Sequence, residues 1–466
     1  MPIIAATCVP HPPLIVPAIG KGEEKKIQST IDAYKIVASR IKDLNPDTII
    51  ITSPHSIMYA DYFHISPSAK ASGDLGNFRA PKVKFMIKYD TEFVSGLSTL
   101  CGKENIAAGQ MGERDANLDH GTMIPLHFLK EAGIDFTTTQ FVRIGLSGLP
   151  ARDHYRFGQA IAKISDELNR KIVFLASGDL SHKLKSDGPY GFAPEAPIFD
   201  DQIMKFLSNG DFLSMLTMNH DLCEKASECG LRSFWIMSGA LDRKKLNCEQ
   251  LSYEGPFGVG YGITWFKVLE DDPRRNFLEQ HDAVNQKKIE LTRASEDPFV
   301  KLARMSVETF VKTHKPLEAV EKSMVTDEIL NNRAGVFVSL KKDGRLRGCI
   351  GTFMATRNNL LEEIIFNAIS ACSRDPRFDP VTEDELGDLV YDVDVLTEPE
   401  RIFSIDKLDP KKYGIIVGNS GRRGLLLPDL DGVDTVEQQI AIAKRKANIS
   451  PKEPIELWRF EVVRHL

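Results

Sequence analysis

His11, His55, His120 and His182 sit within Pro-His-Pro-Pro, Ser-Pro-His-Ser, Leu-Asp-His-Gly-Thr and Asp-Leu-Ser-His. Three of them follow apolar runs of strand length: residues 3–9, 48–52 and 172–176. His120 opens a stretch of helical character. In open α/β sheets, ligands and catalytic groups collect at the carboxyl ends of strands. Imidazole suits iron, zinc and copper, and the prolines before His11 and His55 stiffen the turns that carry them. A metal site needs a third ligand. Glu254 stands among small, apolar and aromatic neighbours, where a carboxylate has to be paired, protonated or metal-bound. It also fits a helix N-cap or a core hydrogen-bonding group. Two histidines and one carboxylate with open positions is the ligand pattern of non-haem Fe(II) oxygen chemistry. His120 and His182 would then stand near a substrate, where a histidine takes and returns a proton. Asp179, three residues before His182, would orient an imidazole. Taken singly, a strand-end histidine is a satisfied structural residue; four in this setting, among 11 in the chain, carry the functional reading. Cys8 reads as a soft ligand or, more simply, as a small buried residue at a strand end.

These side chains need elements to position them. Residues 21–43 form a predicted helix with Ile27, Ile31, Tyr34, Val37 and Ile41 on one face. It links strands 3–9 and 48–53 as a parallel crossover, which would set His11 and His55 on adjacent strand ends. Strands near 135–145, at 171–177 and at 259–268 follow, with helices at 153–169, 200–216 and 222–242. Residues 1–270 read as one α/β domain. Residues 271–295 are a charged junction, partly helical in character. A smaller α+β domain occupies 296–466. Its first helix starts at Asp297-Pro298. Strands at 335–340 and 345–353 turn at Asp343-Gly344, a helix covers 360–371 with Asn358 as its cap, and a strand spans 389–396. Cys349 is flanked by Arg347, Gly348 and Gly351. Nearby arginines lower a thiol pKa, so a reactive cysteine is one reading; a buried strand cysteine is the other. Asp392 and Asp394 share a strand face, read as solvated.

The bulk of the chain narrows the function classes. Its 466 residues call for two or three domains. With 42% hydrophobic and 27% charged residues and a net charge of −6, it reads as soluble and globular. No basic block points to nucleic acid, and no apolar run is long enough to span a membrane. No signal-peptide pattern precedes the first strand. The seven cysteines are scattered and lack a C-x-x-C pair, which favours a reduced, cytoplasmic compartment.

The histidine motifs, with Glu254 late in the chain, resemble those of the LigB-type class III extradiol dioxygenases and the related Memo proteins, over about residues 1–270. The resemblance implies a three-layer α/β/α sandwich around a mixed sheet. It implies Fe(II) held by His11, His55 and Glu254, His182 as the acid/base, and His120 against substrate or oxygen. The substrate would be a small catechol-like aromatic, opened beside a hydroxyl with both oxygen atoms entering the product. Memo-like members keep the fold and a metal pocket with altered ligands, so Zn(II) or another divalent metal without ring cleavage is the alternative. In the second domain, Arg345-Leu-Arg-Gly-Cys-Ile-Gly-Thr-Phe353 resembles the signature of the family named for the AMME-syndrome candidate gene. Ser373-Arg-Asp-Pro-Arg-Phe378 and Gly424-Leu-Leu-Leu-Pro428 support that resemblance, which implies an α+β AMMECR-type domain with Cys349 and Arg347 at its own site. Together the parts resemble the fused A proteins of AmmeMemoRadiSam systems. That implies a metal-binding role beside a radical S-adenosylmethionine enzyme as the second reading of function. A homo-oligomer is left open.

Overall fold

Strands rich in Ile and Val, buried on both faces, build the centre of the first of two units. The computed structural model describes residues 2–318, 320, 325–430 and 432–466. It divides into Met1–Ala283 and Val284–Leu466. In the first unit, β1 (Ile3–Val9), β2 (Thr48–Ser53), β3 (Gln140–Gly145), β4 (Ile172–Ser177), β5 (Lys244–Glu254) and β6 (Tyr261–Asp271) form one sheet in the order β3-β2-β4-β1-β6-β5. The first four run parallel, while β6 and β5 are antiparallel to their neighbours, so the sheet is mixed. Alternate side chains feed two cores. Ala6, Cys8 and Ile50 pack under α3 (Ala151–Glu167) and α4 (Leu231–Ala240) on one face. Ala5, Ile49 and Ile51 pack under α1 (Gln28–Leu44) and α2 (His120–Glu131) on the other. This is the three-layer α/β/α sandwich that the resemblance implied.

Among the departures from the sequence reading, three bear on the main sheet and its helices. β4 pairs with both β1 and β2 and lies between them, so His11 and His55 leave strands that are not adjacent. A crossover helix long enough to link neighbouring parallel strands is also long enough to skip one, and local pattern does not tell the two apart. β5 is a strand the reading missed; it lies at the sheet edge, and its Lys, Asn, Glu and Gln side chains hide the apolar alternation. The helix predicted over 222–242 is broken. His220–Ala226 ends at Ser227 in the left-handed region (φ 56°), and α4 starts only at Leu231.

The division between the units falls within α5 (Phe277–Ala294), in the charged junction. In the second unit, Asp297 caps α6 (Pro298–Thr313) by accepting the amides of Phe299 and Val300 at 2.9 and 3.0 Å. The hairpin β7 (Val336–Lys342) and β8 (Arg345–Gly351) is followed by α7 (Leu360–Ser373) and β9 (Leu389–Leu396). The cap of α7 is Asn359, which accepts the Glu362 amide; Asn358 bonds the Glu362 carboxylate instead. A second small sheet then forms from β10 (Glu400–Ile402), β11 (Gly414–Asn419), β12 (Arg422–Leu426) and β13 (Glu456–Phe460), packed by α8 (Val436–Lys446). Its order is β10-β13-β11-β12, and the last strand, β14 (Val462–His465), returns to the first sheet to give β8-β7-β9-β14. The Asp392/Asp394 face of β9 is ion-paired: Asp394 is buried against Arg464, and Asp392 holds Lys341. Among the described residues no helix is long and apolar enough to cross a membrane.

Candidate metal centre

The carboxyl ends of β1, β2 and β4 deliver their histidines to one side of the sheet. His11 is anchored first by its backbone, whose N–H donates to Asp179 Oδ1 at 2.8 Å. Its ring Nδ1 lies 3.0 Å from Ser177 Oγ. The Ser177 hydroxyl has one proton and gives it to the Gly121 carbonyl at 2.6 Å. It therefore accepts from His11 Nδ1–H, which leaves the lone pair on His11 Nε2. That nitrogen is 3.0 Å from His55 Nε2, 3.7 Å from Cys229 Sγ and 3.9 Å from Asp179 Oδ2.

Among the described residues, two donor sets with metal-ligand spacing result, and His11 belongs to both. One is His11, His55 and His120; the other is His11, Asp179 and Cys229, the donor atoms of each set lying within 4.8 Å of one another. Ligand nitrogens about 2.0–2.1 Å from a divalent ion stand about 3 Å apart when they are neighbours on it. The His11–His55 separation fits that spacing; either a proton on His55 Nε2 or a cation can bridge the two nitrogens. Burial, followed by the neighbouring imidazoles, holds His11 well below the usual histidine range and His120 down at about 3. Burial also lowers His55, against the opposing pull of Asp119 and Asp179. Neutral imidazoles are what a metal binds.

The supporting contacts explain why the donors converge. Asp119 caps α2 by accepting the Thr122 amide at 3.0 Å, and it also accepts the Ser53 hydroxyl. Ser53 Oγ in turn accepts the His55 amide at 3.2 Å, which ties the end of β2 to the start of α2. His120 thereby lies with its ring 3.9 Å from that of His55 and 5.2 Å from that of Phe78. Cys229 is brought in by a backbone contact: a Cβ on Gly178 would lie 2.1 Å from Gly230 Cα, so only paired glycines let the two loops touch. The Asp179 amide then donates to Cys229 Sγ at 3.2 Å. Burial, then Asp179 and Glu228, push the Cys229 thiol well up. Burial raises Asp179 too, against the His11 amide.

His182 donates Nδ1–H to the Ser227 carbonyl at 2.6 Å, which leaves Nε2 as its basic nitrogen. The Tyr190 ring stands edge-on 5.3 Å away. A cavity of about 740 Å³ opens here, lined by His11, His55, His120, Asp179 and His182 with Pro13, Phe257 and Tyr261. A second cavity of about 850 Å³ shares His55, Phe78 and His120 with it and carries Asp74, Asn77, Lys84 and Asn117.

Of the residues singled out from sequence, His11, His55, His120, Asp179 and His182 share one cavity wall. Glu254 does not join them. Its Oε1 accepts both the amide and the hydroxyl of Thr30, each at 2.6 Å. Thr30 lies in the first turn of α1, whose free amides and dipole favour a carboxylate. Asp179 holds the backbone of His11, and the imidazole of His182 is oriented by Ser227 instead. Cys8 points into the core, its thiol against Met237. In the second unit, the guanidinium of Arg347 is bound to Glu385 at 2.8 and 2.9 Å. Burial raises the Cys349 thiol, against a hydrogen bond from Ser339 and the charge of Arg377, so no thiolate is favoured. Cys229, Ser177 and Ser53 were not foreseen. Asp119 had a signal in Asp-His-Gly-Thr, which reads as an N-cap ahead of a helix.

Residues 5–264 match the family described as the catalytic LigB subunit of aromatic ring-opening dioxygenase, and residues 300–465 match AMMECR1. A protein of Clostridium acetobutylicum is 41% identical over 465 residues, covering 98% of each chain. A protein of Thermotoga maritima is 52% identical over 172 residues, which is 36% of this chain and 98% of that one. Among solved structures, an uncharacterized protein of Pyrococcus horikoshii is 32% identical over 36% of this chain and 88% of its own, with a TM-score of 0.33. An uncharacterized protein of Escherichia coli K12 is 16% identical over 56% of this chain and 99% of its own, with a TM-score of 0.38.

Proposed function

Because the chain belongs to the LigB family through residues 5–264, with an AMMECR1 domain at 300–465, we propose that its first unit is an Fe(II)-dependent extradiol-type oxidoreductase acting on a catechol-like aromatic. The observation that carries this reading is the fixed tautomer of His11, whose Nε2 lone pair faces His55, Asp179 and Cys229 at the wall of an aromatic-lined cavity. The neutral imidazoles of His11, His55 and His120 fit a divalent ion in spacing and type, and Asp179 and Cys229 form a second set around His11. When bound, ferrous ion with open positions supplies the chemistry that joins a diol to dioxygen. The chain's own residues do the rest. Phe78, Phe257 and Pro13 offer apolar surface to a ring and exclude water. His182, held through Nδ1, takes a phenolic proton on Nε2 and returns it later. His120, neutral and tilted against His55, presents a polar edge to the substrate.

Cys229 favours a second reading. A soft thiol among the donors, with Glu254 engaged elsewhere, departs from the two-histidine, one-carboxylate pattern and suits zinc as well as iron. On that reading the unit holds a metal for a partner enzyme of radical S-adenosylmethionine type and cleaves no ring. The deciding experiment is metal content by mass spectrometry on protein purified without air, followed by oxygen uptake with catechols. The expected result is about one iron per chain, lost in His55→Ala, with uptake lost in His182→Ala although its iron is retained. Zinc at full occupancy, with no uptake after iron reconstitution, would support the second reading. Absence of metal in the wild type would overturn both.

A further inference from the structure

The second unit holds a cavity of about 500 Å³ that neither the metal centre nor Cys349 uses. It lies where the unit's two sheets meet, with Phe353 and Leu396 on one side and Ile416, Arg423 and Trp458 on the other. Leu396 and Ile416, buried with Phe460 in a small separate core, give it an apolar floor. Trp458 is partly exposed above that floor. A Cβ on Gly418 would come within 3.0 Å of the Trp458 ring, so the missing side chain leaves room for the edge of the indole.

The charges of the lining set this cavity apart. On the same sheet, Arg401, Arg422 and Arg459 each hold a glutamate. Arg423 and Arg333, both lining the cavity, have no carboxylate within ion-pair distance among the described residues. The guanidinium carbon of Arg423 lies over Trp458, 5.4 Å from the ring centroid, and that of the glutamate-paired Arg401 lies 5.9 Å from it. Arg333 gives only Nε–H to the Arg357 carbonyl, at 3.0 Å. A guanidinium over an indole, with no carboxylate partner, keeps N–H groups free for a planar anion. The one acid of the lining is Glu398, so two arginines leave a net charge of one positive unit. That balance matches a monoanion better than a phosphate dianion.

We propose that this cleft is a binding site for a small aromatic carboxylate, whose ring packs against Phe353 and the indole edge of Trp458 and whose carboxylate is held by the arginines of the lining, Arg423 and Arg333. Such a ligand satisfies both unpaired arginines and covers the apolar floor. The site is independent of the metal centre.

The test is calorimetric titration of the full chain with 2-naphthoate and with 2-naphthalenemethanol, which has the same ring system and no charge. The expected result is saturable binding of the acid that weakens about tenfold or more in Arg423→Gln. The alcohol binds more weakly, and equally to both proteins. Trp458→Leu weakens both ligands. Arg423 is exposed, so its variant should melt with the wild type. Equal affinity for acid and alcohol, or acid binding unchanged in the Arg423→Gln, Arg333→Gln double variant, would overturn the assignment. So would the absence of saturable 2-naphthoate binding to the wild type.

Discussion

The hydroxyl of Ser177 determines which nitrogen of His11 faces the cavity. It donates to Gly121 and so must accept from Nδ1–H. Without it, His11 is free to put its proton on Nε2 and turn a donor away from the metal. Hydrogen-bond partners that fix a ligand imidazole in this way are worth about 10–100-fold in metal affinity. Ser177→Ala should therefore weaken metal binding by that order in a competition titration with a chromogenic chelator, with little loss of fold. Unchanged affinity would mean that Ser177 does not set the tautomer. The histidines themselves were legible in the sequence, because each follows or opens a recognisable element. Glu254 was legible only as a carboxylate in need of a partner. Its partner, Thr30, lies 224 residues away, and no local pattern separates a metal ligand from an acceptor at a helix N-terminus. Cys229 had no signal, since a lone cysteine in a helical stretch reads as core.

At the scale of elements, the same distinction holds. The apolar runs of β1, β2 and β4 and the caps of α2 and α6 are local and could be read from sequence. The placement of β4 between β1 and β2, and the break before α4, depend on contacts between distant segments such as Gly178 against Gly230. In the second unit, the β7–β8 hairpin is fastened to the 3-10 turn Glu383–Asp388 through Arg347 and Glu385. Burial raises Glu385, but hydrogen bonds from Arg347 and the Thr382 amide, with the charges of Arg347 and Lys342, outweigh it and hold the carboxyl at about 2. A folded value below the unfolded one means that the folded state binds fewer protons. The stabilisation is then fully present above the unfolded value of about 4.3 and is lost as pH falls toward 2. Glu385→Gln should lower stability at pH 7 by about 1–3 kcal/mol in urea denaturation. The gap from wild type should narrow steadily below pH 4.5. A gap as wide at pH 3 as at pH 7 would show that charge is not what Glu385 contributes.

At the scale of the whole molecule, the apolar cores divide by unit. Among the described residues, the two clusters that sandwich the first sheet draw on residues up to Phe277 and Leu278, and three further clusters on residues from Phe299 onward. The helix that carries the division is anchored by each unit's own contacts: Arg152 with Asp282 in the first, and Arg293 with the carbonyls of Leu386 and Leu389 in the second. Cores that share no side chain should unfold as separate transitions. A metal held by His11 and His55 binds only the folded first unit, so by linkage it stabilises that unit alone, by about 4 kcal/mol at a thousandfold excess over its dissociation constant. For a unit of this size, that corresponds to roughly 8–16 °C in melting temperature. Calorimetry of the full chain, before and after removal of metal by a chelator, should resolve two transitions, of which one falls by that amount and the other stays. His55→Ala should melt like the chelated protein and be insensitive to the chelator. If both transitions moved together, the units would be thermodynamically coupled; if neither moved in the metal-loaded wild type, the histidine cluster would contribute no metal-dependent stability.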